Sequence, residues 1–445
     1  MNKDVHAPGM GVRLLASRKG PTASGSRPAG IRIRAARNHE ARTIFVLALP
    51  CVDSYPLPDG RTAGTGSFMR LLLPSIIMAV YAFLSLVLPL KAGPFAKALL
   101  GAALMAAALK YVFYQVVGGG FFRPDLPVPV MLTAEALYGA LMVLFVLALA
   151  KDIAGLLLRL SHLAGTSWRL PSTAGMRCAV LMSLALACGA WGTWQAVRVP
   201  DVHTVDIAVA DLPTELEGFS LVQLSDLHIG PVQKKAWLAE VVRKTNALTP
   251  DAVVITGDMI DGLPDAVRRE MTPLADLRAR CGVFGVTGNH EYYYNAKGWI
   301  TEFKRLGITM LNNEHCVLPG GLVLGGVPDV SSGRFGHDGA DVDKTFAGAP
   351  SGPRVLLSHK PTGDNIPAPG VTLQLSGHTH GGHIFFLAPL IGFYNGGYVN
   401  GLYSAPQGGL VYVNPGTGLW NGFSCRIGVP SEITRIVLHR AGTDR

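Results

Sequence analysis

The chain has 445 residues, a formal net charge of +9, 49% hydrophobic residues and only 16% charged residues. This length allows two or three domains, and the low charged fraction indicates a membrane portion. The basic excess does not indicate nucleic-acid binding, because residues 1–198 carry 20 Lys and Arg against 7 Asp and Glu, whereas residues 199–445 carry 19 against 23. Six cysteines without C-x-x-C spacing support neither a disulfide framework nor a zinc knuckle.

The N-terminal segment is basic and has no sustained apolar periodicity. Residues 1–68 are rich in Arg, Gly, Ala, Pro and Ser, and we predict a disordered tail. Within it, "TIFVLALPCV" is too short to cross a bilayer. Met69, followed by "RLLLPSIIMAV", resembles a natural N-terminus, which leaves open whether the assigned start lies too far upstream.

Four apolar stretches follow, at residues 71–90, 98–117, 130–150 and 178–197. Each has about 20 residues, the length that a helix needs to cross a hydrocarbon core. We therefore predict that residues 69–198 form a membrane region with four transmembrane helices. The second stretch carries Lys110 and the third Glu135, so a buried hairpin of soluble helices stays an alternative for these two.

Basic residues give two conflicting indications of orientation. Lys151, Arg159, Arg169 and Arg177 lie at the loop between the third and fourth stretches, which favours a cytoplasmic loop and both termini outside. The Arg-rich tail favours the reverse. We expect a multi-pass protein of a bacterial-type cytoplasmic membrane whose C-terminal domain faces outside.

The sequence changes character at about residue 199, where short β-branched and apolar runs begin. The runs "FSLVQLSD", "DAVVITGD", "GVFGVTGN", "RVLLSH" and "VTLQLSGH" each end in a polar residue. Between the first two, "KKAWLAEVVRKTNAL" has helical spacing. This alternation predicts an α/β domain over residues 199–445 whose functional site lies at the carboxyl ends of its strands.

Side chains able to bind a metal stand at these strand ends: Asp226, His228, Asp258, Asn289, His290, His359, His378 and His380. Oxygen and imidazole donors without thiolates suit Mn, Fe or Zn. Eight residues exceed what one ion needs and fit two ions. Taken singly, each residue has a structural alternative, such as a turn or helix cap for an Asp. Five such motifs in succession favour the metal site.

The series D-x-H, G-D, G-N-H-E, H and G-H-x-H, from about residue 219 onwards, resembles that of the calcineurin-like metallophosphoesterases. The later "NGLY" and "PSEITRIVL" also resemble the bacterial membrane-anchored branch, which is similar to phosphodiesterases that include UDP-2,3-diacylglucosamine hydrolase. The resemblance implies a four-layer α/β sandwich, with two central β-sheets flanked by helices, preceded by an N-terminal transmembrane helical region.

The resemblance also implies the role of each matching residue. Seven would be metal ligands: Asp226, His228 and His380 at the first ion, Asp258 bridging both ions, and Asn289, His359 and His378 at the second. His290 would face the substrate phosphate, where it would either stabilise charge in the transition state or protonate the leaving oxygen. The attacking group would be a hydroxide that bridges the two divalent ions, so no covalent enzyme intermediate is expected.

These roles predict a phosphoester hydrolase, and a phosphodiesterase is the favoured form. The membrane region favours a membrane-proximal or lipid-linked substrate, such as a phospholipid or nucleotide-lipid, with the bilayer as a further partner. A tethered phosphomonoesterase or nucleotide phosphohydrolase is the alternative enzyme. A non-catalytic membrane scaffold on a hydrolase fold is the alternative without activity.

Three further residues stand beside the ligands. Asp261 is predicted to support a turn and to orient metal-bound histidines. Glu291 either does the same or lies on the solvated surface. His383 is left out of the ligands, because the related pattern usually has Gln there, and its role is either structural or substrate-facing.

Two segments are candidates for shaping the substrate pocket. Residues 329–344 are polar and Gly-rich, and Arg334 and His337 within them are candidate phosphate contacts, with a solvated loop as the alternative. Residues 383–403 have an apolar and aromatic surplus. This segment either leans towards the bilayer, holds an acyl chain, or forms a pair of strands that covers the core.

Overall fold

We describe the protein in a computed structural model, which gives the structure of residues 65–120, 123–163, 165 and 173–441. Most of the tail predicted to be disordered, including "TIFVLALPCV", lies outside the described residues. Helix α1 (Thr65–Ala82) begins before Met69, inside the segment assigned to that tail.

Helices make up the described chain before the first strand. A π-helical turn, Phe83–Val87, continues α1, and it is followed by α2 (Pro94–Ala108), α3 (Lys110–Val117), α4 (Val128–Leu163) and α5 (Ala174–Val197). By length and composition, α4 and α5 can each cross a membrane. Helices α2 and α3 meet at a bend of 62°, and together they form a third candidate span if the bent pair is treated as one span. The apolar helix Leu71–Val87 is shorter than these candidate spans. The four predicted spans stay a prediction.

Helix α4 is longer than the apolar stretch that predicted it, because helical residues continue from Lys151 to Leu163. It packs closely against α5 where both helices have glycines. A Cβ atom added at Gly189 would lie 2.7 Å from the backbone nitrogen of Ala140 and would clash with the carbonyl of Ala136. Small residues of this kind let two helix backbones approach each other.

The first sheet has six strands in the order β1-β12-β2-β3-β4-β5. They are β1 (Asp201–Val209), β2 (Ser220–Leu224), β3 (Ala252–Thr256), β4 (Val283–Val286), β5 (Ile308–Met310) and β12 (Glu432–Arg440). Only the β12–β2 pair is antiparallel. Strand β1 follows α5 almost directly, so the sheet begins where the helical region ends.

The second sheet also has six strands, in the order β10-β11-β9-β8-β7-β6. They are β6 (Glu314–Val317), β7 (Val323–Gly326), β8 (Arg354–Leu357), β9 (Leu373–Ser376), β10 (Gly401–Ser404) and β11 (Leu410–Val413). The two edge pairs, β6–β7 and β10–β11, are antiparallel, and the central strands are parallel. The five strands predicted before polar ends are confirmed as β2, β3, β4, β8 and β9.

Alternation along the central strands explains why the sheets stack. In β3, Val254 faces the core between the sheets with Leu357 and Leu375, whereas Val253 and Ile255 face the outer layer. Both faces are apolar because a sheet covered on both sides buries every side chain. The predicted sandwich of two sheets flanked by helices is therefore confirmed.

The remaining helices cover or connect the sheets. They are α6 (Lys235–Ala247), α7 (Pro264–Val267), α8 (Asn289–Tyr293), α9 (Ala296–Arg305), α10 (Val342–Thr345) and α11 (Ala388–Tyr394). Helices α6 and α9 cover the outer face of the first sheet, with Leu238, Trp299 and Phe303 fully buried there. Helix α10 contributes Val342 to the core outside the second sheet.

Replacing Gly189 by Val tests the close packing of α4 and α5. Because the added side chain would meet the backbone of α4, we expect the variant to unfold at a lower temperature than the wild type in detergent. Gly175→Ala is the control, because the nearest atom to a Cβ at this position of α5 is 4.0 Å away. An unchanged unfolding temperature for Gly189→Val would show that the two helices are not packed as described.

Candidate metal centre

The carboxyl ends of five strands meet at one edge of the sandwich. Loops after β2, β3 and β4 of the first sheet and after β8 and β9 of the second contact one another there; Asp226 N–H, for example, donates to the Gly257 carbonyl and Gly377 N–H to the His359 carbonyl. All eight predicted residues lie at this edge; seven of them are buried and His378 is partly buried. The arrangement follows from parallel strands, whose carboxyl ends share an edge.

One group of ligand atoms surrounds Asp226. Its Oδ1 lies 3.8 Å from His228 Nε2 and 3.5 Å from His380 Nε2. All three residues are buried, and their donor atoms lie within 4.8 Å of one another. Two imidazoles and a carboxylate at this spacing can hold one divalent ion.

A second group surrounds Asp258. Its Oδ2 lies 3.2 Å from His359 Nε2, and His378 completes a set of donor atoms within 4.8 Å. The same oxygen lies 3.8 Å from His228 Nε2 and 3.9 Å from His290 Nε2. Asp258 thus stands between the two groups, where one carboxylate can serve two ions.

Hydrogen bonds on the far side of two rings point their Nε2 atoms into the centre. His228 Nδ1 lies 3.0 Å from Asp261 Oδ1, and His359 Nδ1 lies 2.7 Å from the Thr256 carbonyl. A carboxylate oxygen and a carbonyl oxygen can only accept a hydrogen bond, so the Nδ1 atom of each ring is the donor. In the neutral tautomer, the Nε2 atom of each ring then has a free lone pair. His228 Nε2, His359 Nε2 and Asn289 Oδ1 are buried without a hydrogen-bond partner. The two imidazole nitrogens lie 3.8 and 3.2 Å from Asp258 Oδ2, and unpaired acceptors at this spacing fit a divalent metal.

The electrostatics of the protein alone point the same way. Burial lowers the pKa of His359, but Asp258 more than offsets it and raises this pKa to about 10. Burial likewise lowers the pKa of His228, yet Asp261 and Asp226 raise it well above its usual range. Burial raises the pKa of Asp258, whereas His359 and His290 hold it well below the usual range. Positive charge therefore stabilises these buried carboxylates, and either protons on the histidines or metal ions can provide it.

Asp261 supports two of the histidines at once. Its Oδ1 accepts from His228 Nδ1 at 3.0 Å and from His290 Nδ1 at 2.6 Å. Its Oδ2 accepts from the side-chain amide of Asn421 at 2.7 Å and from the backbone N–H of the same residue. The carboxylate thus fixes the orientation of both rings, which is the role predicted for it.

Glu291 is fully buried, so the solvated-surface alternative is wrong. Its carboxylate accepts from the backbone N–H groups of Gly288, Asp258 and Met259, at 2.6 to 3.0 Å. Burial, together with the charge of Asp258, raises the pKa of Glu291 to about 7. Glu291 therefore stabilises the loop that carries Asp258. In the described part of the chain, its hydrogen bonds go to backbone N–H groups and not to candidate ligand atoms.

The backbone is strained at the ligands themselves. Asp226, Asp258 and His378 have φ values of 53°, 50° and 71°, in the left-handed region that side chains other than Gly rarely adopt. Glycine is required next to them, because a Cβ added at Gly288 would clash with Asp258 Oδ1 and one at Gly377 with Asp226 Oδ2. Strain at such positions is typical of functional sites.

His383 takes no part in the groups of ligand atoms found among the described residues. Its ring lies between those of His380 and Phe423, with centroids 5.1 Å from each. The chain after it is helical, with a 3₁₀ turn at Phe385–Leu387 followed by α11. A strand pair over the core is therefore wrong for this part of residues 383–403.

The two predicted phosphate contacts, Arg334 and His337, are exposed and belong to no ligand group. His337 lies edge-on to Tyr292, with ring centroids 5.2 Å apart. The aromatic rings beside them were not predicted: Phe335 lies 5.8 Å from Tyr293, whose ring is 5.0 Å from His290. The substrate role of Arg334 and His337 stays a prediction.

Sequence reasoning also missed the loop after β11. "NPGTGLWNGFSCR" follows a strand and is polar and Gly-rich, the same signal that marked the other loops. It contributes Asn421 to Asp261 and carries Arg426, which is fully buried. The guanidinium of Arg426 donates to the carbonyls of Pro415, Gly418 and His380 at 2.7, 2.9 and 3.1 Å. This arginine therefore holds the loop against the end of the His380 segment.

Comparison with known proteins gives matches to phosphoesterases. The model of a family described as calcineurin-like phosphoesterase matches residues 219–382. A Danio rerio transmembrane protein with metallophosphoesterase domain is 36% identical over 276 residues, which are 59% of this chain and 62% of that protein. An uncharacterized metallophosphoesterase of Helicobacter pylori is 33% identical over 259 residues, 57% of this chain and 68% of its own length. One of Aquifex aeolicus is 32% identical over 212 residues, 46% of this chain and 79% of its own length.

Replacing Asp261 by Asn tests whether this carboxylate supports the centre. The amide removes the negative charge and one acceptor, so we expect the affinity for Mn²⁺ to fall by about 10- to 100-fold. Isothermal titration of the metal-free protein measures it. Asp265→Asn is the control, because Asp265 lies at the surface and pairs there with Arg268. Equal affinities for the two variants would contradict the role given to Asp261.

Proposed function

Because the chain belongs to the calcineurin-like metallophosphoesterases, we propose that it is a metal-dependent phosphoester hydrolase acting on a phosphodiester in or beside a lipid bilayer. One observation carries the proposal: carboxylates and imidazoles bring their ligand atoms within 4.8 Å of one another in each group, and two of the buried imidazole nitrogens have no hydrogen-bond partner. The chain spans only 62% and 63% of the Danio rerio and Bos taurus relatives. The names of these relatives give no substrate.

Two divalent ions fit the donor atoms. Asp226, His228 and His380 would hold the first, Asp258 would contact both, and the second would be completed by Asn289, His359 and His378. When bound, such ions supply Lewis acidity towards a phosphoryl oxygen and a water that ionises near neutral pH. Oxygen and nitrogen donors without thiolate favour Mn, Fe or Zn.

His290 is the residue that we assign to the leaving group. Its Nδ1 is held by Asp261 at 2.6 Å and its backbone N–H by Asp258 at 2.8 Å, so the ring is fixed with Nε2 towards the centre. Asp261 would stabilise the ring while it carries positive charge. A fixed imidazolium at this position can donate a hydrogen bond to a phosphoryl oxygen and then a proton to the departing oxygen.

The proximity of the helices supports a lipid-linked substrate. The segment that starts at His383 continues to Phe386, which packs with the apolar residues of the helices, while Phe385 and Phe393 are 61% and 79% exposed. Exposed aromatic side chains beside membrane helices are typical of the bilayer interface. A substrate held in the leaflet would therefore reach the centre beside this segment.

The activity is tested on full-length protein in detergent with Mn²⁺. We expect hydrolysis of bis-p-nitrophenyl phosphate, its loss with a chelator, and its return with the metal. His290→Ala should lower kcat by about 10²- to 10⁴-fold because it removes an acid from the transition state. Asp258→Asn should remove activity by weakening both metal sites. His203→Ala, at an exposed histidine of β1, is the control and should retain wild-type kcat.

Three results would overturn parts of this proposal. No hydrolysis of any phosphoester by the wild type with Mn²⁺, Fe²⁺ or Zn²⁺ would exclude the enzyme and favour a scaffold. Faster hydrolysis of p-nitrophenyl phosphate than of the diester would favour a phosphomonoesterase. Unchanged activity of Asp258→Asn would exclude the assigned centre.

We also propose that the catalytic domain faces the outside of the membrane. Lys151, Arg159 and Arg177 line one cavity at the far end of the helices, whereas Glu135 contacts the catalytic domain. Glu135 and Lys151 lie about 24 Å apart along α4, at the helical rise of about 1.5 Å per residue. Clustered basic residues favour the cytoplasmic side, so the catalytic domain would lie on the opposite one.

Reporter fusions in a bacterial host test this orientation. Alkaline phosphatase fused to the C-terminus should be active, and green fluorescent protein fused there should not fluoresce. A fusion of green fluorescent protein after Leu163, at the end of α4, is the internal control and should fluoresce. Fluorescence of the C-terminal fusion would reverse the proposed orientation.

A further inference from the structure

A buried ion pair joins two of the membrane helices next to the catalytic domain. Lys110 Nζ, at the start of α3, lies 3.0 Å from Glu135 Oε2 on α4, and both side chains are 1% exposed. Tyr114 also donates its hydroxyl to Glu135 Oε1 at 2.8 Å. Buried charges are costly in an apolar helix bundle unless all their hydrogen-bonding capacity is used, so they mark functional positions by default.

The capacity that remains on the pair is used by the catalytic domain. Lys110 Nζ donates to the Gly422 carbonyl at 2.9 Å, and Glu135 Oε2 accepts from the Ser424 N–H at 2.9 Å. These two backbone groups belong to the loop after β11, which we call the docking loop (residues 420–426). The ammonium group therefore binds a backbone carbonyl of this loop, and the carboxylate binds a backbone N–H group of it.

The docking loop is also wedged between α4 and α5. A Cβ atom added at Gly139 or at Gly192 would lie 2.7 or 2.6 Å from Cys425 Sγ, so only glycine leaves room for this side chain. Arg426 N–H donates to the Gly192 carbonyl at 2.8 Å. The position of the loop is thus set by the helices as well as by the sheets.

The same loop reaches the metal centre. Asn421, next to Gly422, donates its amide to Asp261 Oδ2 at 2.7 Å, and Asp261 Oδ1 holds the rings of His228 and His290. Hydrogen bonds, joined by the peptide link between Asn421 and Gly422, therefore connect the helix pair through the docking loop to a proposed ligand histidine and to the proposed acid. The neighbouring Phe423 packs on Tyr138 of α4 and on His383.

We infer that Lys110 and Glu135 are positioning residues of the metal centre, which act through the docking loop, Asn421 and Asp261. The inference deepens the proposed function, and it rests on that function because it takes the centre to be a catalytic metal site. The helical region is then part of the active site, and a catalytic domain cut away from it would hold His228 and His290 less firmly. A pair that only fastens α3 to α4 would have no such effect.

The test uses full-length protein in detergent with Lys110→Met and Glu135→Leu combined. This variant keeps the volume of the pair and removes both contacts with the loop, and apolar replacement of a whole buried pair is tolerated by many folds. We expect Mn²⁺ affinity, measured by titration of the metal-free protein, to fall at least about tenfold. We also expect kcat for bis-p-nitrophenyl phosphate to fall more than KM rises, while the unfolding temperature stays near that of the wild type.

Two controls separate positioning from general damage to the bundle. Lys151→Met with Asp152→Leu removes a polar pair of α4 that contacts Tyr81 and Ser85 but not the docking loop, and it should keep wild-type Mn²⁺ affinity. Exchanging the charges, Lys110→Glu with Glu135→Lys, restores an ion pair but opposes a carboxylate to the Gly422 carbonyl and an ammonium to the Ser424 N–H. This exchange should not restore affinity.

A double-mutant cycle locates the effect. If the pair acts through Asn421, adding the Lys110 and Glu135 substitutions to Asn421→Ala should lower Mn²⁺ affinity little further. Lys110→Gln with Glu135→Gln is a second variant, which removes both charges and keeps a polar side chain at each position. It should lower affinity in the same direction if the apolar double variant does not fold.

Unchanged metal affinity in every folded variant of the pair, or full rescue by the charge exchange, would overturn the inference. Additive losses in the cycle with Asn421→Ala would also overturn it. A wild type that binds Mn²⁺ but hydrolyses no phosphoester would instead refute the proposed function, and the affinity measurements would still test the positioning role.

Discussion

The edge where the two sheets meet depends on keeping the Asp258 carboxylate charged away from water. An isolated carboxylate in a protein interior is strongly destabilising, so positive charge or several donors must surround it. Imidazoles surround it here, and two of the rings are oriented by hydrogen bonds on the side away from the centre: His359 Nδ1 donates to the Thr256 carbonyl and His228 Nδ1 to the Asp261 carboxylate. The folds of the loops, the glycines beside them and the strained backbone all follow from packing these groups around a common centre.

This constraint explains why the support of the centre extends far beyond the ligands. Glu291 accepts from three backbone N–H groups, which lets the loop after β3 turn sharply, and Arg426 donates to backbone carbonyls of the loop after β11 and to that of His380. Neither has an oxygen or nitrogen in a candidate ligand group of the described residues. The buried Glu291 accepts hydrogen bonds from backbone N–H groups, and the buried Arg426 donates to backbone carbonyls. Together they stabilise irregular backbone whose polar groups have no partner in a sheet or helix.

Most of the fold, and the residues that meet at the strand ends, could be predicted from the sequence, because both leave local signals. Apolar runs that end in Asp, Asn or His mark β2, β3, β4, β8 and β9, and glycines mark the turns that follow them. Asn421 and Ser424 left no such signal of their role. Their partners, Asp261 and Glu135, lie 160 and 289 residues away in sequence, so only the tertiary structure brings them together.

Lys110 and Glu135 show the limit of reasoning from composition in another way. Singly, each charge weakens the prediction of a membrane span, because an unpaired charge in hydrocarbon is costly. Together they remove most of that objection, since each neutralises the other. The bend between α2 and α3, the extension of α4 beyond Ala150 and the exposure of Arg334 and His337 likewise depend on neighbours that a linear pattern does not contain.

The strand order of the first sheet has a consequence for biosynthesis. Strand β12 lies between β1 and β2 in the sheet, but the ribosome synthesises it more than 200 residues after β1. Strands β1 and β2 therefore cannot complete their pairing until β12 has been made. Until β12 arrives, β1 and β2 each have an unpaired edge that can bind other strands. In the orientation that we propose, this interval falls on the outer side of the membrane, where the nascent domain needs protection from aggregation until its last strand has crossed.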